Sequence, residues 1–377
     1  MDFNIETGSI QRAIKLLSVV VKINALDTTG MVCIKAFGSG VAFSANNGLT
    51  NILIRANNVD VKEEGSSVVL YSKIKSFISS FKPYDKNSGV KSFRIKSDSK
   101  NTTILVDNLF NNVVAKSRLT VTSLNTTDLQ SIESLDKIDF SLNSSVVLNA
   151  LDKVLYAVNP QVGFNQPALR GMNIKFDEEY IYFAGSDGIV LSEFTTSNTS
   201  GFSGTNVTLN YDFVMGLRRL IGNDTQLMWE IQKGNVIVMF DDVVFTGARI
   251  YGNDFPEYRP AFDKFTHQIE IEKSFFVNSI VPFVDILDPD DHFRVTLEIK
   301  DKLFKLYGPQ ANFEAELDIQ PGLDFSIDLN GRVLVQTLES VKDDVIVFKF
   351  SDSDGFAIFD GASSNSQKSL ITNIRKR

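Results

Sequence analysis

The sequence predicts an α+β chain of three repeated domains, each holding two strand-helix-strands units whose paired helices pack on one face of antiparallel sheet. Three observations predict it. Three segments open with the same strand-then-helix pattern, a second such unit recurs midway through each, and most of the remainder reads as short strands split by turn signals.

The first opening is Asp2-Phe3-Asn4-Ile5, followed by Ile10, Ile14, Leu17 and Val21. The second is Asp139-Phe140-Ser141-Leu142, followed by Val147, Leu151, Val154 and Val158. The third is Ile269-Glu270-Ile271, followed by Phe276, Ile280, Phe283 and Leu287. Alternation marks a half-buried strand, and apolar residues at three- and four-residue spacing mark an amphipathic helix. Thr7 or Ser9, Ser144 or Ser145, and Ser274 stand where an N-cap belongs, with a side-chain oxygen to accept from free backbone N–H groups.

The midway unit reads Val68-x-Leu70 with Ile74 and Phe77, then Val207-x-Leu209-Asn210 with Phe213, Val214 and Leu217, then Ile327-x-Leu329-Asn330 with Val333, Leu334 and Leu338. The period of roughly 120–140 residues is too long for a solenoid unit, so these are repeated domains. Ile174-Lys-Phe176, Tyr180 to Phe183, Val236 to Phe240 and Val345 to Phe350 read as strands, separated by turns at Asn47-Gly48, Asp187-Gly188, Gly222-Asn223 and Asp354-Gly355. Linkers fall in the polar stretch Ser123–Asp136 and around Phe255–Lys264, where Pro256 and Pro260 interrupt the strand pattern. The domains are thus 1–125, 136–256 and 264–377.

The 377 residues are 43% apolar and 22% charged, ordinary for a globular protein. A net charge of −8 excludes a surface that binds nucleic acid everywhere, though not a local basic lining. Cys33 is the single cysteine, so no intrachain disulfide forms; among Met31, Val32 and Ile34 it reads as a buried thiol on a strand. The N-terminus lacks the basic and apolar runs of a signal peptide, and no apolar run reaches the ~18 residues of a membrane span, so the expected compartment is the cytoplasm.

Catalytic patterns are missing. His267 and His292 are far apart, one cysteine cannot build a zinc cluster, and neither a Walker A sequence nor a dinucleotide glycine pattern occurs. Ser72-Lys73-Ile74-Lys75 has the Ser-x-x-Lys spacing of some acyl-enzymes, but inside an amphipathic helix its lysines read as a basic face. Ser351 to Gly355 is a hairpin turn rather than a calcium loop. No catalysis, metal or cofactor is expected.

In organisation the full length resembles the bacterial DNA polymerase III β subunit, the DNA sliding clamp. The resemblance is most specific in Gln166-Pro-Ala-Leu-Arg-Gly171, the strand Ile174 to Phe176, and Phe183-Ala-Gly-Ser-Asp-Gly188 closing with Val190-Leu191. Phe255-Pro256-Glu257-Tyr258 resembles the family's Phe-Pro-Asp-Tyr, and Ile327-Asp-Leu329-Asn330 its strand before the last helix. The chain departs at Val190, where the family carries Arg, and at Thr372-Asn373-Ile374-Arg375, where it ends Met-Pro-Met-Arg. A divergent bacterial or a phage-encoded clamp fits.

The resemblance implies a non-catalytic processivity factor: a head-to-tail homodimeric ring around duplex DNA, gripping it without reading sequence and binding polymerase and clamp loader through short peptide motifs. Cations between the apolar helix positions would face the DNA: Arg12, Lys15 and Lys22 in the first helix, Lys73, Lys75 and Lys82 in the second, Lys153, Arg218 and Arg219 in the middle domain, and Lys273, Arg332 and Lys342 in the third. The loop Asn159–Pro167, with Phe164 and Asn165, matches a family loop that touches DNA. Leu169, Ser186, Gly188, Val190, Leu191, Pro256, Leu370, Thr372 and Ile374 would wall the peptide pocket. Ile286 and Leu287 would meet a partner's edge strand around Asn112–Thr120. The same ring serving mainly transcription or repair proteins is the alternative; a β-rich structural protein without a DNA role is disfavoured by the basic helix faces.

Overall fold

The computed structural model describes residues 1–377 except 24, 58, 86–87, 111–112, 125–135, 162–165, 253, 285, 309–310, 318–321, 352–354, 363–365 and 375–377. The element order repeats three times. The first repeat runs β1 (Asp2–Glu6), α1 (Thr7–Leu17), β2 (Met31–Phe37), β3 (Gly40–Asn46), β4 (Thr50–Ala56), a short β5 (Asp60–Glu63), β6 (Gly65–Leu70), α2 (Tyr71–Ser79), β7 (Gly89–Ser97), β8 (Asn101–Phe110) and β9 (Val113–Thr122). The second runs β10 (Phe140–Asn143), α3 (Ser144–Val154), β11 (Gly171–Phe176), β12 (Tyr180–Ser186), β13 (Val190–Ser197), β14 (Thr205–Asn210), α4 (Tyr211–Leu220), β15 (Gln226–Ile231), β16 (Asn235–Phe240) and β17 (Val243–Ile250). The third runs β18 (His267–Glu272), α5 (Lys273–Val284), β19 (Arg294–Lys300), β20 (Leu303–Gly308), β21 (Ala311–Glu316), β22 (Asp324–Asn330), α6 (Gly331–Ser340), β23 (Val345–Phe350), β24 (Phe356–Gly361) and β25 (Gln367–Thr372).

Two compact units form, and they cut across the repeats: Met1–Ser145 with Asp212–Arg249, and Val146–Tyr211 with Ile250–Arg377. In the first unit, one sheet has the order β5-β1-β7-β8-β9 and a second runs β6-β2-β3-β4-β17-β16-β15-β10. That second sheet joins two repeats through β4 and β17, with Ile54 opposite Val243 and Leu53 opposite Val244. The second unit repeats the device. Its order β14-β11-β12-β13-β25-β24-β23-β18 joins two repeats through β13 and β25, beside a smaller sheet β21-β20-β19-β22. Each junction pairs backbone groups that would otherwise lie bare on an edge.

Helices bury the faces that their periodicity marks. In the first unit α1 buries Ile10, Ala13, Ile14 and Leu17, and α2 buries Tyr71, Ile74 and Ile78. The Tyr71 hydroxyl donates to the Ile14 carbonyl at 2.8 Å and ties the two together. In the second unit Phe276 and Ile280 of α5 and Leu334 and Leu338 of α6 share one core with Val295, Leu297, Phe304 and Phe348. Val21, Val158 and Leu287, which continue the apolar spacing, lie past the helix ends yet are buried.

The hydroxyl residues do not cap as predicted. Glu6, the N-cap of α1, makes no side-chain cap bond, and Thr7 Oγ1 donates instead to the Val90 carbonyl at 2.7 Å. Ser144 Oγ accepts from the Thr225 amide, and the Ser274 hydroxyl donates to the Glu272 carboxylate. Asparagines ending the preceding strands do the capping: Asn143 Oδ1 accepts from the Ser145 amide at 2.8 Å, and Asn330 Oδ1 from the Val333 amide at 3.1 Å. Cys33 lies on β2 but is half-buried rather than enclosed, and burial raises its thiol pKa. Most of Ser123–Asp136 lies outside the described residues.

Candidate DNA-facing helices and a candidate peptide pocket

The predicted cations divide by environment. Lys15, Lys22, Lys73, Lys82, Arg219 and Lys342 are exposed and make no ion pair with a described residue. Arg218 is exposed beside Arg219 in the last turn of α4. Lys22 and Lys82 stand beyond α1 and α2 rather than within them, because those helices end at Leu17 and Ser79.

Other cations are engaged by neighbours. Arg12 is ion-paired with Asp242 of the β16–β17 turn, and that carboxylate raises its pKa. Lys75 lies 5.6 Å from the Tyr71 ring centroid, and Arg332 stacks at 3.8 Å over Phe293. Lys273 Nζ donates to the Val341 carbonyl just past α6, where a cation suits the negative helix end.

Lys153 leaves the exposed set. It is 6% exposed, its ammonium donates to Ser366 Oγ at 3.3 Å, and it sits 4.5 Å from the Phe194 ring centroid. Desolvation lowers its pKa. Phe164 and Asn165 lie outside the described residues.

Most of the predicted pocket residues gather on β12, β13, β25 and the turn Pro167–Arg170, and all lie in the second unit. Pro167–Arg170 forms a 3-10 turn that sets Leu169 against Leu191 and Leu370, in an apolar cluster completed by Ala168, Ala184, Phe255, Phe262 and Ile358. The β12–β13 turn needs Gly188, at φ +90°. Ser186 Oγ accepts from the Gly188 amide at 3.1 Å and donates to the Val190 carbonyl at 2.8 Å. The Thr372 amide and hydroxyl both donate to the Ile189 carbonyl. Half-buried Ile374 is held by its amide on the Asp328 carbonyl at 2.8 Å. Pro256 is exposed.

Val190 does not join this wall. Strand alternation turns it away from Leu191, and it packs opposite Ile371 in the α5–α6 core at 2% exposure. The side chains that sequence reasoning missed are Phe255, Tyr258 and Phe262, from the segment read as a linker. Tyr258 OH donates to Glu193 Oε2 at 2.7 Å, Arg259 pairs with the same carboxylate at 3.5 Å, and burial pushes the Tyr258 pKa far up. The aromatic run Phe255, Tyr258, Phe262 was the available signal, at the spacing of one buried face. Ile189, 44% exposed at the turn tip, is the apolar side chain left open there.

At the predicted subunit contact, Ile286 is 51% exposed and α5 also exposes Val281. Leu287 is instead buried in its own core, against Gly308 and Gly331. The β9 strand is the open edge of its sheet, with Val113 and Val114 exposed; Asn112 lies outside the described residues. Among the described residues, no group of three or more His, Cys, Asp and Glu converges to hold a metal, and no helix is long and apolar enough to cross a membrane.

Neither a protein-family model nor a curated protein sequence matches the chain. Solved structures do, each over 100% of both chains. The DNA polymerase III subunit beta of Pseudomonas aeruginosa matches at 17% identity and TM-score 0.88. The beta subunit from DNA polymerase of Streptococcus pyogenes matches at 16% and 0.86. The Helicobacter pylori beta clamp bound to a DNA ligase peptide matches at 13% and 0.81. From end to end, then, the chain has the α+β fold of the bacterial DNA polymerase III β clamps, with its strand-helix-strands unit used six times in three repeats.

Proposed function

We propose that the chain is a DNA sliding clamp: a non-catalytic processivity factor whose domains, 1–125, 136–256 and 264–377, close with those of a second copy into a head-to-tail ring around duplex DNA. The observation that carries this reading is the full-length match of fold and repeat order to clamp structures. The exposed cations Lys15, Lys22, Lys73, Lys82, Arg218, Arg219 and Lys342 are the DNA-facing set, with Arg12, Lys75, Lys273 and Arg332 as engaged members. An acidic chain that places these cations on and beside its helices is suited to loose, sequence-independent contact with phosphate. Ile286 meets the open β9 edge of the partner, where strand addition and apolar contact act together.

Leu169, Leu191 and Leu370, rimmed by Ser186, Gly188, Ile189, Pro256, Thr372 and Ile374, form the seat for a short peptide from polymerase or clamp loader. The Helicobacter pylori beta clamp, solved bound to a DNA ligase peptide, supports peptide binding by analogy. The three leucines are each at most 9% exposed, so a peptide anchor must displace side chains to reach them.

The test is retention on DNA. Loaded protein should stay on circular duplex at salt concentrations that abolish its direct binding, because topology does not depend on counterions while phosphate contact does. Cutting the circle should release it. Equal loss with salt from circles and linear duplex overturns encirclement.

A further inference from the structure

Residues 255–265 belong to no sheet, yet they cover part of one. On the outward face of β13, Leu191 and Glu193 stand one pleat apart, opposite Leu370 and Lys368 of β25. Over the leucines the segment lays Phe255, 7% exposed, and Phe262, 4% exposed, with Tyr258, Ala261 and Phe265 packed against the same cluster. Its rings meet edge to face, Phe255 with Tyr258 at 5.8 Å and Tyr258 with Phe262 at 6.0 Å between centroids. The other members of the cluster are fixed: Ala184 and Ile358 sit on strands, and Ala168 on the turn that leads into β11. Phe255 and Phe262 are therefore the side chains free to move off Leu169, Leu191 and Leu370.

Side chains, not backbone, hold the segment down. Among the described residues its main-chain groups bond only within it, as Ala261 N–H does to the Tyr258 carbonyl, and the first bond to a strand runs from the Thr266 amide to the Phe350 carbonyl. Pro256 and Pro260 have no N–H to offer. The polar attachment centres on Glu193, a carboxylate at 2% exposure. Its Oε2 accepts from the Tyr258 hydroxyl at 2.7 Å and faces Arg259 Nε at 3.5 Å, and the Arg259 guanidinium lies 4.0 Å from the Tyr182 ring centroid. Lys349 and Lys368 add contacts to the Phe265 and Phe262 rings at 4.9 and 5.9 Å. Glu257 pairs with Lys175 at 3.8 Å, an exposed and weak tie. Lifting the segment breaks no strand ladder. It must undo the Glu193 contacts, and a buried hydrogen bond to a charged group is of the strong kind.

We propose that residues 255–265 form a strap latched by Glu193 through Tyr258 and Arg259, and that unlatching opens the Leu169–Leu191–Leu370 seat to the apolar anchors of its peptide. The identity of the occupant rests on the seat proposed above. Closed, the strap sets Phe255 and Phe262 where the anchors must go. Open, it exposes the leucines and leaves β13 paired with β25. Glu193 acts through the strap and is a positioning residue. Apparent affinity at the seat then follows the fraction of molecules that are unlatched.

Two near-isosteric variants of the full chain test the latch. Tyr258→Phe removes the hydroxyl and keeps the ring; Glu193→Gln keeps an acceptor and removes the charge that Arg259 faces. Opening is read by backbone hydrogen exchange across 255–265 and by Nile red, an uncharged dye that brightens on apolar surface and is indifferent to the lost carboxylate. Each variant should speed strap exchange and tighten dye binding, both by about tenfold, with exchange in β13 and β25 unchanged. Saturating dye should also speed strap exchange in the parent chain, an effect that a merely structural contact does not give. Strap exchange unchanged in both variants, faster exchange without tighter dye binding, or dye that protects the strap overturns the proposal. A synthetic peptide alternating leucine with serine is then added to dye-loaded Tyr258→Phe. Displacement of the dye supports peptide entry beneath the strap. Dye left in place, with the exchange results as expected, keeps the latch and overturns the peptide seat.

Discussion

Lys153 places an ammonium group against Ser366 Oγ and the Phe194 ring, almost out of water. Burial disfavours the charged form, so its folded pKa lies below its unfolded value, about 10.4. Between those two values the unfolded chain binds more protons. Stability therefore rises as pH climbs through that window and is lower beneath it. Lys153→Met, an apolar side chain of similar length, should abolish that rise and leave the neutral-pH stability equal to or above that of the parent by about 1 kcal/mol. Thermal melts stepped from neutral to alkaline pH read both effects. Salt-resistant retention on circular DNA should not change, and a loss of retention would return Lys153 to the DNA face.

Two glycines let α4 pack close against its sheet. A Cβ on Gly216 would stand 2.6 Å from the Phe245 ring, and one on Gly247 2.3 Å from the Phe213 ring. Those two rings are stacked with centroids 5.0 Å apart and are fully buried, so neither can swing aside. This approach fixes the helix whose last turn presents Arg218 and Arg219. Gly216→Ala should cost about 1–3 kcal/mol through overpacking, despite alanine's better helix propensity. Gly8→Ala in α1, where an added Cβ meets nothing within 4 Å, should be neutral or stabilising by up to about 1 kcal/mol. Denaturant unfolding of both variants checks the contrast; equal effects would mean that the α4 contact is looser than drawn.

For the assembled molecule, adjacent residues separate association from folding. Ile286 is exposed, so Ile286→Asp should shift a dimer toward monomer in sedimentation at micromolar concentration and leave the melt nearly unchanged. Leu287 is 5% exposed inside its own core, so Leu287→Asp should instead destabilise the fold by several kcal/mol. A dimer that survives Ile286→Asp intact places the subunit contact elsewhere. The compact units add a further link. Since β4 pairs with β17 and β13 with β25, each repeat is joined to the next by sheet rather than by linker alone.

The repeats, the helix and strand pattern and most buried helix positions were legible in the sequence, because the spacing of apolar residues records which side of a backbone meets water. Asn210 and Asn330 were visible as repeated strand ends, although their role was not; at Asn330 the packed turn shows it as a helix cap. Lys15 and Lys153 look alike as sequence, each lying among apolar helix positions. Tertiary structure separates them, because Ser366, distant by 213 residues, arrives beside Lys153. Val190 and Leu191 are equally apolar neighbours, and strand register alone sends one into the α5–α6 core and the other into the apolar cluster with Leu169 and Leu370. The joining of repeats through sheet edges was likewise decided in three dimensions. Local periodicity encodes a residue's side, whereas partners, enclosure and charge clusters depend on which distant strands the closed backbone ladders bring together.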